Sequence, residues 1–88
     1  MTNIKRIFAI GYALDCLVVG TSASFAVEKY GFSICINRDE MDLTELSSMM
    51  IAIECILESH GFEPTDGTMT TTEYYCDELE TTVSILTI

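Results

Sequence analysis

The pattern of apolar and polar residues predicts a helix in the middle of the chain, over about residues 43–60. Asp42 is placed to cap its first turn, and Glu45, three residues on, completes the capping-box pattern. Gly61 and Pro64 then end the helix, since glycine accepts a left-handed backbone and proline cannot continue the turn. Apolar residues at three- and four-residue spacing predict the face that packs on a sheet: Leu43, Leu46, Met49, Met50, Ile53, Ile56 and Leu57.

Alternation of apolar and polar residues predicts a hairpin on each side of this helix. Residues 24–30 and 32–37 alternate around a turn near Gly31, and residues 68–76 and 79–88 are rich in Thr, Tyr, Val and Ile. With Asp77-Glu78 as a two-residue turn, Thr72 would face Val83 in the second hairpin. Because this dipeptide lacks the usual glycine, a longer loop with a shifted register is the alternative.

The N-terminal segment is harder to interpret. Residues 16–20 suggest a further strand, whereas residues 4–14 are apolar on all sides and fit either a strand or a helix. The sequence therefore predicts one α+β domain, residues 1–88, with an antiparallel sheet of four to five strands packed on one central helix. The expected order is approximately β-β-β-α-β-β.

The same segment has features of a secretion signal: bases before residue 7, an apolar run, and small residues around Ala26. Asp15 interrupts that run, and cleavage after Ala26 would leave about 62 residues, a poor core. We therefore expect no cleaved signal, and no membrane span because the run is shorter than about 20 residues. The cysteines, spaced without any C-x-x-C pair, are expected to be free thiols of a cytoplasmic protein: Cys16, Cys35, Cys55 and Cys76.

Charge changes the picture more than any motif does. The formal net charge is −10, and all four bases precede residue 39. Residues 39–88 hold 12 of the 14 acids and no Lys or Arg. We expect no direct binding to nucleic acid, because affinity for a phosphate backbone depends on Lys and Arg. A basic protein is the complementary partner.

Catalytic and cofactor motifs are not evident, and the sequence predicts neither an enzyme nor a cofactor. His60 is expected to interact with the carbonyl end of its helix, about 140° away from Cys55 around the helix axis. Asp39, Glu40 and Asp42 lack the spacing of a calcium loop, so no metal site is predicted. The five glycines are scattered and make no phosphate-binding loop.

The base-free stretch 39–88, with its Asp77-Glu78-Leu79-Glu80 run, resembles in size and charge the small acidic inhibitors that phages make, the anti-CRISPR and anti-restriction proteins that mimic DNA. The resemblance implies an inhibitor that occupies a basic nucleic-acid-binding surface of a host protein. That class includes unrelated folds, so it assigns no residue. From charge and position, we expect the partner-binding residues to be Asp39, Glu40, Ile51, Glu54, Glu58, Glu73, Tyr75, Asp77, Glu78 and Glu80.

Two alternatives remain open at this point. Ile51 and Cys55 lie one turn apart on the outer helix face, and with the sheet edges they would suit a homodimer or other homo-oligomeric adaptor. A small enzyme would need His60, a cysteine and an acid to assemble from distant segments.

Overall fold

The computed structural model describes residues 3–65 and 67–88, in which helices and strands form two layers. The sheet has five strands in the order β1-β2-β5-β4-β3. A short 3₁₀ turn, Arg38–Glu40, precedes the second helix. The elements are α1 (Asn3–Val18), β1 (Ser24–Glu28), β2 (Gly31–Ile36), α2 (Leu43–Ser59), β3 (Glu63–Pro64), β4 (Thr71–Cys76) and β5 (Thr81–Thr87).

Both helices lie on the same face of the sheet, and the core fills the space between the layers. Every second residue of β2 is buried, as expected for a strand with one covered face. The other face is open and carries small or polar side chains such as Ser33, Ser84 and Glu73. The fully buried aliphatic side chains are Ile10 and Leu14 of α1, Ile53 and Leu57 of α2, and Ile34, Ile36, Val83 and Ile85 of the sheet.

The α+β class is confirmed and the five strands lie within the predicted four to five, but two parts of the predicted architecture are wrong. The sheet is mixed rather than purely antiparallel, because β2 and β5 pair in parallel. The chain also begins with a helix, so that two helices rather than one pack on the sheet and the order is α-β-β-α-β-β-β. Parallel neighbours require a crossover connection, and α2 provides it together with β3 and β4.

The helix α1 replaces the strand expected at residues 16–20 and settles residues 4–14 as helical. Ile10, Leu14 and Val18 recur at four-residue spacing and are buried, while Phe8 and Tyr12 on the adjacent face are exposed. An apolar run with large side chains on both faces hides the helical period, which explains the error. In the described part of the chain, no helix is both long and apolar enough to cross a membrane.

The second helix agrees with its sequence signals. The Asp42 carboxylate accepts a hydrogen bond from the Glu45 N–H at 2.8 Å, and Gly61 follows the helix with a φ of +85°. Met49, Ile53 and Leu57 are its buried residues. Leu43, expected on the packed face, is instead 82 % exposed, because the helix begins beyond the edge of the core.

The first hairpin has the predicted turn, whereas the second has a shifted register. Glu28 pairs with Gly31, which leaves Lys29-Tyr30 as the turn. In the second hairpin Tyr74 pairs with Val83, two residues from the register of an Asp77-Glu78 turn. The loop spans residues 77–80, the longer alternative, and Glu80 takes a left-handed φ of +51° to close it.

Gly31 lies where the backbone of β2 comes close to the backbone of β5. A Cβ atom on Gly31 would come within 1.8 Å of the Thr82 carbonyl oxygen, where β2 and β5 pair in parallel. The neighbouring Thr82 N–H donates to the Tyr30 carbonyl at 2.9 Å, which fixes the backbone of β5 in this position. Only a residue without a side chain fits here.

We predict that Gly31→Ala lowers the free energy of unfolding by about 3 kcal/mol, because backbone atoms must move to accept the methyl group. The matched control is Gly20→Ala, at a φ of +81° with no atom within 4 Å of the added Cβ. That substitution should cost about 1 kcal/mol of backbone strain. Urea denaturation measures both, and equal losses would contradict the proposed contact.

Candidate functional site

Carboxylates from α2, β3, β4 and the 77–80 loop gather along one border of the sheet. We call this border the acidic edge. Five of its residues were expected from the sequence, and Glu63 was not, because its loop gave no sign of belonging to the sheet. The acidic edge consists of Glu54, Glu58, Glu63, Glu73, Asp77 and Glu78.

Pairing and electrostatic contacts hold these elements together. Glu54 and Glu58, one turn apart on α2, both act on the Tyr74 hydroxyl of β4. Tyr75, next along β4, pairs with Glu63 of β3. An open depression of about 510 Å³ is lined by Glu63 and Tyr75 together with Asp77 and Glu78 of the loop. Glu54 and Glu58 therefore lie on the helix side of this border, and Glu63 and Tyr75 lie on its open side.

Arg6 joins α1 to this border. Its guanidinium forms a salt bridge with the Glu78 carboxylate and donates to the His60 carbonyl at 3.2 Å. The Cys76 thiol donates to the same carbonyl at 3.6 Å. His60 therefore closes α2 with its backbone, and Glu78 has a partner within the chain.

The structure separates other candidate residues from the acidic edge. Asp39 and Glu40 follow the carboxyl end of β2, whereas the 77–80 loop precedes the amino end of the parallel strand β5. These are opposite ends of the sheet, about 20 Å apart for six-residue strands. Of the other candidates, Ile51 is 60 % exposed and lies one turn before Glu54 on α2, and Glu80 lines the groove beside α1. The predicted acids therefore form more than one surface.

A second surface, which the sequence analysis missed, lies between α1 and the first hairpin. It is an open groove of about 670 Å³. Four apolar side chains along it are between 68 % and 74 % exposed, and we call them the apolar flank: Phe8, Tyr12, Val27 and Tyr30. Phe8 and Tyr12 are four residues apart, which places them on one face of a helix. This spacing could have predicted the surface only if residues 4–14 had been assigned to a helix.

The cysteines and Tyr12 are further reactive side chains of the molecule. All four cysteines are free, and Cys76 is the buried one. A hydrogen bond with Cys16, one turn along α1, raises the pKa of the Tyr12 hydroxyl, and the charge of the Cys16 thiolate adds to the effect. Within residues 3–65 and 67–88, no group of three or more His, Cys, Asp or Glu side chains is arranged to hold a metal ion.

Tyr74 is the residue whose ionisation reports on the acidic edge. Burial, followed by the negative charge of Glu54, a hydrogen bond with Glu54 and the charge of Glu58, raises the pKa of Tyr74 above its usual 10.0. Each of these effects disfavours a tyrosinate. The acidic edge thus creates a negative potential at a side chain that is 4 % exposed.

Comparisons with known proteins give no family for this chain: no protein-family model, curated protein or solved structure matches it.

We predict that Tyr74 makes the fold less stable as the pH rises above about 10, the pKa of an unfolded tyrosine. The folded state keeps the proton to higher pH than the unfolded state does, so unfolding releases a proton in this window and stability falls. The slope from this residue approaches about 1.4 kcal/mol per pH unit. The measurement is urea denaturation from about pH 8 to about pH 11, on either side of that pKa. The free energy of unfolding should fall less steeply with pH for Tyr74→Phe than for the wild type.

Tyr75→Phe, on the open face of the same strand, is the control and should keep the wild-type slope. Glu54→Gln should lower the tyrosinate midpoint of Tyr74 in ultraviolet titration by more than Glu58→Gln does, because Glu54 contributes both charge and a hydrogen bond. An unchanged midpoint in both variants would contradict the assigned contacts.

Proposed function

We propose that this chain is a small non-enzymatic inhibitor that binds a basic, nucleic-acid-binding surface of another protein through its acidic edge. The observation that carries the proposal is the placement of six carboxylates from α2, β3, β4 and the 77–80 loop along one border of the sheet, on both of its faces. Arg6 lies against this group through its salt bridge with Glu78.

The physical basis is the same one that attracts a nucleic-acid-binding groove to its natural ligand. Such grooves carry Lys and Arg that neutralise phosphates and release counterions. The carboxylates of the acidic edge, held by a helix and by paired strands, offer those cations an alternative set of anions. It also steers the encounter at long range, because a surface of one sign raises the association rate.

Rigidity favours this use of the acidic edge. Glu54 and Glu58 lie on a 17-residue helix whose inner face is buried in the core. Glu63 and Glu73 lie on paired strands, where the Thr65 N–H donates to the Glu73 carbonyl at 2.8 Å. Carboxylates on such elements lose little conformational entropy when they bind.

The proposed site is narrower than the set of residues expected from the sequence. Asp39 and Glu40 lie at the far end of the sheet, so we leave them out. Ile51 lies near Glu54 on α2 but carries no charge, so it is not counted among the anions of the site. Tyr75 stays, because its half-exposed ring lies beside Glu63 and offers an apolar contact among the charges. An aromatic residue in a charged surface is a common anchor of protein interfaces.

The experiment is capture from a cell lysate on the immobilised chain, followed by elution with duplex DNA, RNA or neutral dextran. We expect basic nucleic-acid-binding proteins to be retained, to be released by a nucleic acid but not by dextran, and to bind less as the salt concentration rises. Retention of proteins that nucleic acid does not displace would contradict the proposal.

Charge-matched variants localise the surface. Glu54→Gln with Glu58→Gln removes two carboxylates from the acidic edge, and Asp39→Asn with Glu40→Gln removes two from the opposite end. We expect the first pair to weaken binding to the captured protein about tenfold, since each exposed ion pair contributes up to about 1 kcal/mol. The second pair should change it less than about twofold. Equal effects would mean that total charge, not the acidic edge, drives binding.

A further inference from the structure

The two edge strands of the sheet differ in how well they are protected. The strand β3 has two residues, one of them proline, and Glu63 adds a charge. Such short, charged, proline-containing edges resist pairing with another strand. The opposite edge, β1, has five residues without proline, and four of the five are exposed. Alternate backbone N–H and C=O groups of β1 point away from β2 and are available to a further strand.

The apolar flank lies directly beside this unprotected edge. Val27 belongs to β1, Tyr30 to the turn that follows it, and Phe8 and Tyr12 to the helix that covers the same side. Three rings of about 150–250 Å² each, some 70 % exposed, offer on the order of 400 Å² of contact surface. This is about half of the 800 Å² or so that each partner buries in an interface of standard size, before the strand is counted.

We propose that β1 and the apolar flank bind a second copy of this chain, with the two β1 strands pairing antiparallel about Ala26. This inference is independent of the function proposed above. It joins the two sheets into one continuous sheet of ten strands, with all four helices on the same face.

The chain itself fixes the centre of the pairing. Before β1, the Ala23 N–H already donates to the Thr21 hydroxyl at 3.1 Å. After β1, the chain turns at Lys29-Tyr30. Pairing is thus confined to Ser24–Glu28, and Ala26 is its middle residue. With this centre Phe25 lies opposite Val27 of the second copy, so apolar residues meet on the helix side.

Charge favours a contact between copies at β1 over one through β3 or the outer face of α2. The groups that border the groove have mixed signs, Lys29 against Asp15, Glu28 and Glu80, and the pairing sets Glu28 opposite Ser24 rather than another acid. Contact through β3 or the outer face of α2 would instead oppose Glu54, Glu58 and Glu63 to their own copies. Like charges placed opposite each other in a sheet are destabilising.

Sedimentation equilibrium of the wild-type chain, from about 1 µM to about 1 mM, covers the range in which modest interfaces dissociate. We expect a reversible dimer of twice the 9.8 kDa chain mass. A chain that stays monomeric throughout overturns the proposal and leaves the apolar flank to a different occupant, such as an extended segment of another protein.

Two lysine variants test the location. Val27→Lys puts a charge on the exposed edge of β1 and should weaken the dimer at least about tenfold. Ile51→Lys, also at an exposed apolar residue but on α2, should change it less than about twofold. Circular dichroism and the melting temperature show whether each monomer remains folded. Loss of the dimer in Ile51→Lys alone overturns the proposal.

A cysteine variant tests the register without weakening the fold. In the proposed pairing the two Ala26 Cα atoms lie about 4.5–5.5 Å apart, a separation that a disulfide spans. Mild oxidation of Ala26→Cys should produce a reducible covalent dimer well above the amount formed by the wild-type chain, whose exposed Cys16 and Cys55 give the background. Crosslinking at the wild-type level overturns the strand pairing.

Discussion

The parallel contact between β2 and β5 holds the fold together at its centre. Gly31 lets the two backbones approach, the Thr82 N–H bonds the Tyr30 carbonyl at one end, and the Ile88 N–H bonds the Ile36 carbonyl at 2.8 Å at the other. Because parallel strands need a long connection, the chain between them must cross the sheet, and α2 does so over the core. The strands β4 and β3 then lie beyond β5, and β1 lies on the far side of β2.

This arrangement decides where charge and apolar surface can lie. Both helices pack on one face, so α1 shares its space with α2 and leaves Phe8 and Tyr12 uncovered beside β1. The acids of α2 and β3 fall on the opposite border. The edge strands β1 and β3 are separated by four strand spacings, about 19 Å, which exceeds the Debye length of about 8 Å at physiological salt. The 77–80 loop reaches both surfaces, with Glu78 in the acidic edge and Glu80 at the groove. The border at β3 is therefore mainly negative, and the border at β1 is mainly apolar.

Local signals in the sequence determined the parts of the fold that could be predicted from it. The Asp42 cap, the Gly61 terminus and the Gly31 turn each act over a few residues, and α2 and the first hairpin followed from them. The parallel pairing of β2 with β5 could not be predicted, because it joins residues about 50 positions apart and leaves no periodic trace. Five of the six residues of the acidic edge were predicted from the sequence because of their charge. The apolar flank was not predicted, because Phe8 and Tyr12 share a face only when α1 is a helix.

Binding of a basic protein through the acidic edge and dimerisation through β1 can occur in the same molecule, because they use different surfaces. In a dimer joined at β1, the acidic edges would lie at the outer ends of a ten-stranded sheet, nine strand spacings or about 43 Å apart. Several Debye lengths separate them, so the strongly negative borders would contribute little repulsion to the dimer. Each acidic edge would also remain uncovered, able to meet a basic surface of its own. A protein with two basic grooves at a matching distance would then bind both edges at once, and the second contact would form at a high effective concentration. The net charge of −10 would oppose self-association if it were spread evenly, and it opposes this dimer less because the six acids of the acidic edge lie away from β1.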